Sequence, residues 1–188
     1  MQEPTPQTAG NSSHNNRRIN SSKGFAKGFS IIAWLLLMAM LYLFFQDAID
    51  AQLNPNQQLN SSIGTKGEVR TVLIRNRAGH YVGTALVNQH PIDFMLDTGA
   101  TTVAITVEAA RQLGMPQGQA MQVNTANGLT TAYRSQIAQL QLGDIILYNI
   151  PASIVPNLAG TEILLGMSAL KQLEFHQQGN QLTLIQHN

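Results

Sequence analysis

The heptapeptide Phe94-Met95-Leu96-Asp97-Thr98-Gly99-Ala100 sets three apolar residues directly before a carboxylate, and a glycine directly after a hydroxyl. The order predicts that a buried strand, begun at Ile92, delivers Asp97 to a sharp turn. Gly99 lets the chain bend there and lets another backbone or a ligand approach closely. Thr98 can hydrogen-bond locally or across an interface. Taken alone, the tripeptide is an ordinary Asp turn at a strand end.

The surrounding chain is rich in strand signals. Thr71–Arg75 alternates, Asn76-Arg77-Ala78-Gly79 reads as a turn, His80–Val87 as a second strand, and Asn88-Gln89-His90-Pro91 as another turn. After the heptapeptide, Thr102–Ile105 resumes a β-rich run. Thr106 is a good N-cap for a short helix over Glu108–Leu113, which Gly114 closes and Pro116 prevents from continuing. Met121–Thr125 and Leu129–Arg134 flank Ala126-Asn127-Gly128, the tip of a hairpin. Further strands are predicted at Gln136–Leu142, Ile145–Leu147, Ala152–Val155, Ile163–Leu165 and Gln181–Ile185, with a helix of one to two turns over Met167–Leu173. Strands at this spacing with two short helices indicate a compact, mostly β, barrel-like domain over residues 68–188. Its 121 residues are enough for one small core, and six cations against seven anions leave its surface nearly neutral.

Upstream, the composition changes. Phe29–Phe45 is 17 residues without a charge, close to the roughly 20 needed to span a bilayer. Arg17, Arg18, Lys23 and Lys27 precede the run, whereas Asp47 and Asp50 follow it, so residues 29–45 read as a signal anchor with a cytoplasmic N-terminus and an exported domain. The following Gln46-Asp47-Ala48-Ile49-Asp50 is a poor cleavage site for a signal peptidase. Residues 1–28, rich in Pro, Asn, Ser, Gln and Thr, are expected to be a disordered cytoplasmic tail, and residues 46–67 a polar linker.

Composition excludes several functions. The chain of 188 residues has no cysteine, which removes disulfides, thiolate metal sites and a cysteine nucleophile. A net charge of +1 argues against a nucleic-acid partner. His14, His80, His90, His176 and His187 show no metal-ligand spacing, and no phosphate-binding glycine loop is present. Gly166-Met167-Ser168-Ala169-Leu170 lacks the final glycine of a nucleophile elbow.

Three signals gain meaning from their order: Asp97-Thr98-Gly99-Ala100, the hairpin tip at Asn127-Gly128, and Leu164-Leu165-Gly166 followed by a short helix, with Gly166 lying 69 residues beyond Asp97. This order over residues 69–188 resembles the retropepsin-like aspartic peptidases, and most nearly their bacterial membrane-anchored single-domain members. The resemblance implies a single-lobe closed β barrel of the pepsin/retropepsin type with two short helices, preceded by one transmembrane helix. It implies that Asp97 is catalytic, that Thr98, Gly99 and Ala100 support the active-site loop, that Asn127 and Gly128 belong to a flap, and that Leu164, Leu165 and Gly166 form the strand supporting the catalytic loop. It further implies a bacterial inner membrane and a periplasmic catalytic domain.

The chemistry asks for such residues. One carboxylate deprotonates a water while a second, protonated, donates to the scissile carbonyl; two carboxylates about 3 Å apart cannot both ionise. Asp47, Asp50, Asp93 and Asp144 all lack a following Thr/Ser-Gly. The expected solution is a homodimer that presents Asp97 from each subunit to an extended or unfolded peptide. No cofactor or metal is expected. The rival reading is a catalytically silent dimeric peptide-binding module of the same fold, and a structural anchor protein is a second rival.

Overall fold

The computed structural model describes residues 22–125, 128–156, 158 and 163–187, and the chain divides into two compact units, before and after the Phe45–Gln46 boundary. The first contains most of helix α1, Ser22–Leu53. Within it Lys27–Gln46 is long and apolar enough to cross a membrane, and none of that stretch is buried. Its large side chains, from Phe29 through Trp34 to Phe45, are exposed all around the helix.

The second unit, Gln46–Asn188, is mostly β, with two short helices, as expected. Its strands are β1 (Asn60–Ile63), β2 (Val69–Ile74), β3 (Val82–Val87), β4 (His90–Leu96), β5 (Val103–Ile105), β6 (Ala120–Thr125), β7 (Gly128–Leu142), β8 (Ile145–Ile154), β9 (Ile163–Leu165), β10 (Glu174–Gln178) and β11 (Gln181–Gln186); the helices are α2 (Val107–Gln112) and α3 (Met167–Leu170). They form a four-stranded sheet, β1-β2-β11-β10, and a seven-stranded one, β3-β4-β9-β5-β8-β7-β6, with β3 also pairing β7. The core is the shared inner face: Leu73 and Leu184 from the smaller sheet, and Phe94, Ile105, Ile137, Leu140, Ile150, Ile163 and Leu165 from the larger. Each of these side chains is at most 2% exposed, and full burial of such a residue contributes about 1.5–3 kcal/mol.

Local sequence explains most boundaries. Asn88 and Gln89 both take positive φ, 49° and 70°, in the two-residue turn between β3 and β4. Such turns match the strand twist. The Asn88 side chain also accepts from the Ala138 and Gln139 amides, tying the turn to β7. Thr106 caps α2 by accepting from the Ala109 amide.

Several expectations need correction. The helix begins at Ser22, inside the segment expected to be a disordered tail, because extending a nucleated helix costs little once the apolar run has formed it. Residues 46–67 are not simply a linker. Gln46–Leu53 continue α1, Asn54 and Asn56 are buried, and Asn60–Ile63 pair with β2. Composition reads this segment as linker because amide side chains substituting for backbone partners leave no hydrophobic pattern. The strands expected at 129–134 and 136–142 are one continuous β7, and 145–147 and 152–154 fall on one β8, which ends one residue before the expected Val155. Strand β10 shows no apolar alternation: all five residues are exposed, and backbone pairing to β11 alone defines it.

Candidate active site

Strands β4 and β5 are consecutive in sequence but not adjacent in space. Strand β9 lies between them, parallel to β4 (Leu96 opposite Leu165) and antiparallel to β5 (Leu164 opposite Ala104). The loop from Asp97 to Thr102 must therefore cross over the end of β9. It is held as it does so. The Asp97 amide donates to the Leu165 carbonyl at 3.1 Å, and the Met167 amide donates to the Ala100 carbonyl at 2.8 Å. Gly166 sits beneath the crossing, where a Cβ would lie 2.3 Å from the Thr102 carbonyl oxygen and 2.7 Å from that of Ala100. No side chain fits there.

Within the loop, the Gly99 amide donates to Asp97 Oδ1 at 2.8 Å and the Ala100 amide to the Asp97 carbonyl at 3.3 Å. These bonds fix the carboxylate's direction while leaving it partly exposed. Thr98 and Gly99 are exposed, and Ala100 is half-buried. The other strand of the hairpin also reaches this point, since the Leu96 amide donates to the Tyr81 carbonyl at 2.9 Å. The structure thus brings together Asp97, Thr98, Gly99, Ala100, Leu164, Leu165 and Gly166 at one crossing.

The hairpin of the sequence reading is present as β6 and β7, paired from Ala120 opposite Tyr133 to Thr125 opposite Gly128. Gly128 has φ of +100°, and the neighbouring Leu129 is 73% exposed. Asn127 lies outside the described residues.

Sequence reasoning missed the braces behind the loop. Ser168 Oγ accepts from the Val103 amide at 3.0 Å and donates to the Pro151 carbonyl at 2.7 Å, linking β5, β8 and α3. Thr102, the last residue of the loop, and Ser153 of β8 share a second bond of 2.7 Å. The available signal was a lone hydroxyl inside the otherwise apolar run Ile163–Leu170. Because Ser168 is 5% exposed and doubly bonded, it is not a nucleophile.

Other carboxylates are engaged elsewhere: Asp93 with Asn54 and Thr84, Glu108 with Arg111, Glu174 with His187. Glu68 is bound by its own backbone N–H, by Arg70 and by the Lys66 amide, which together hold its carboxyl below the usual carboxylate range against the opposing effect of burial. Among the described residues, no cluster of three or more His, Asp or Glu side chains suits a metal ion.

A carboxylate handed from a buried strand to a glycine turn, over a third strand inserted between its neighbours, defines the site of an aspartic-protease type of fold. The known proteins agree. The family described as "gag-polyprotein putative aspartyl protease" matches residues 83–172. An uncharacterized protein in the cobV 5′ region of Sinorhizobium sp. is 31% identical over 172 residues, covering 85% of this chain and 73% of that one. An uncharacterized protein of Rickettsia prowazekii is 32% identical over 113 residues, 57% of this chain and 46% of that one. Among solved structures, a retropepsin-like aspartic protease from Rickettsia conorii matches at 31% identity and a TM-score of 0.51, covering 61% of this chain and 98% of that one. The chain belongs to the retropepsin-like aspartic protease family.

Proposed function

We propose that the protein is a membrane-anchored aspartic endopeptidase whose active site forms between two copies of the chain. The observation that carries this reading is the half-exposed Asp97 carboxylate, oriented by the Gly99 amide on a backbone whose own Asp97 amide is held by the Leu165 carbonyl, with no hydrogen bond to it from another described Asp or Glu. A two-fold dimer supplies the second carboxylate. The ionised Asp97 takes a proton from a water, whose oxygen attacks the scissile carbonyl carbon. The protonated Asp97 of the other subunit donates to the carbonyl oxygen. Collapse of the tetrahedral intermediate breaks the C–N bond, and a proton passes to the departing amine. No cofactor is needed for these proton transfers.

In this reading, Thr98 bonds across the two-fold and the β6–β7 hairpin, with Gly128 near its tip, covers an extended peptide that binds partly through main-chain hydrogen bonds. The exposed apolar stretch Lys27–Gln46 is the anchor. In this reading the N-terminus is cytoplasmic, in keeping with the cations before the anchor, and the peptidase unit is exported; the resemblance to bacterial family members supports the periplasmic face of an inner membrane.

The test is hydrolysis of an unfolded protein by the purified full chain, wild type against Asp97→Asn. The variant is expected to lose activity by at least a thousandfold while retaining fold and dimer. Residual activity within a few-fold of wild type overturns the assignment. A wild type that binds peptides without cutting them favours the silent module.

A further inference from the structure

The segment Asn54-Pro55-Asn56 does more than join α1 to the sheets. The Asn54 amide continues the helix by donating to the Asp50 carbonyl at 2.8 Å, and the Asn76 side chain secures the end by donating to the Leu53 carbonyl at 3.0 Å. Asn56 then enters the seam between the two sheets. Its side-chain amide imitates a backbone peptide: Oδ1 accepts from the Ile74 amide at 2.7 Å, while Nδ2 donates to the Ile74 carbonyl at 2.8 Å and the Val82 carbonyl at 2.6 Å. Ile74 ends β2 in the smaller sheet and Val82 begins β3 in the larger, so one side chain stitches the sheets together. The Asn56 carbonyl also accepts from the Thr84 amide at 3.1 Å.

Asn54 grips the same hairpin further along. Its Nδ2 donates to Thr84 Oγ1 at 3.0 Å and to Asp93 Oδ1 at 3.1 Å, and its Oδ1 accepts from the Asn56 amide. Both residues are buried, at 7% and 3% exposure, and the network is satisfied internally. Such a network is rigid when complete and costly when broken. Beyond its hold on Ile74, the network grips one strand pair: Val82 lies opposite Met95, Thr84 opposite Asp93, and β4 ends at Leu96, directly before Asp97.

We propose that Asn54 and Asn56 are positioning residues for Asp97, so that the catalytic unit begins at the end of α1 rather than at β2. The proposal rests on the peptidase reading, and the strap acts through β3 and β4 without touching substrate.

The experiment uses the full chain in detergent and three variants. Asn54→Asp sets a second carboxylate against Asp93, where like charges oppose each other. Asn54→Ala removes the donor without adding charge. The exchange Asn54→Asp with Asp93→Asn restores a donor facing an acceptor. The readouts are kcat and KM on a peptide and hydrogen exchange at the Thr84 amide. Asn54→Asp is expected to speed exchange at Thr84 and lower kcat roughly ten- to a hundredfold with KM within about twofold, since a misplacement of an ångström costs about that much. Asn54→Ala should fall in the same direction, and the exchanged pair should return to within about threefold of wild type. Faster exchange with unchanged kcat, unchanged exchange in both single variants, or failure of the exchanged pair to restore kcat overturns the proposal. If Asn54→Asp fails to fold, Asn54→Ala and the exchanged pair decide it. A wild type that cuts nothing instead removes the peptidase reading, and Thr84 exchange still reports whether the strap is held.

Discussion

The backbone amide of Asp97 donates to the backbone carbonyl of Leu165 at 3.1 Å, joining residues 68 positions apart at the point where a buried strand ends and the candidate catalytic loop begins. The bond extends the parallel β4–β9 ladder by one step beyond Leu96 opposite Leu165. It makes the position of the carboxylate a property of the sheet rather than of the loop. The same logic governs the far side of the crossing, where Met167 bonds Ala100. The loop is thus clamped at both ends by residues flanking Gly166.

Gly166→Ala tests this clamp. The added methyl meets two carbonyl oxygens at 2.3 and 2.7 Å, and these are backbone atoms that cannot swing aside. Overpacking of a core typically costs about 1–3 kcal/mol, and here the strain falls directly on the loop carrying Asp97. Peptide hydrolysis is expected to fall by at least a hundredfold, accompanied by a lowered Tm. Activity within threefold of wild type would show that the loop does not depend on this close approach.

Ser168→Ala tests the brace behind β5. It leaves the Val103 amide buried without an acceptor, a loss of about 1–3 kcal/mol. A unit of this size loses roughly 2–4 °C of Tm per kcal/mol, so thermal denaturation should show a drop of about 2–12 °C. Because the hydroxyl also holds the Pro151 carbonyl, Ser168→Cys should recover only part of that loss. A Tm unchanged in Ser168→Ala would remove the brace from the account of the loop.

Much of this organisation was legible in the sequence because it was written in side chains with strong local preferences. Apolar runs located β4 and β9, Thr106 located α2, and Asp97 through Gly99 located the turn. The crossing itself was not legible: nothing local in Ile163-Leu164-Leu165 says that it lies between β4 and β5, since a short apolar run fits any buried strand. Only the resemblance to a family brought the two segments together. The strap was hidden for the opposite reason. Asn54 and Asn56 belong to residue types that mark turns and solvated linkers, and their role rests on amide groups pairing with Ile74, Val82 and Thr84, which lie 18–30 residues away. Strand β10 escaped because it buries no side chain, and its pairing with β11 is made through the backbone.

Glu68 gives the retropepsin-like unit an acid-sensitive contact. Its carboxyl is held below the ordinary value of 4.5, first by its own backbone N–H and then by Arg70. A group whose folded pKa is depressed contributes stability that is present above its unfolded pKa and lost as pH falls through the folded one. Tm should therefore decline as pH is lowered from about 5 through the acidic range. Glu68→Gln should have a lower Tm at neutral pH and a shallower decline below it. An identical slope for both proteins would assign the acid sensitivity to other groups.

The proposed sharing of the active site between two chains makes the sharpest quantitative prediction. Mixing wild type with an equal amount of Asp97→Asn under conditions that allow exchange leaves only about a quarter of randomly paired dimers with two aspartates. A mixed dimer has one carboxylate, which cannot both activate water and donate to the carbonyl oxygen. Activity per wild-type chain should therefore fall to about half, and to about a quarter at a threefold excess of the variant, tracking the fraction of wild-type chains. Diluting wild type alone should lower specific activity in the same way as dimers dissociate, because assembly follows mass action. A site complete within one chain predicts neither effect: the variant would be a silent diluent, and activity per wild-type chain would stay constant in both experiments. Measuring hydrolysis across the mixing series, with dimer content followed by sedimentation in detergent, separates the two. A flat series in which mixed dimers are present would overturn the two-fold assignment of Asp97.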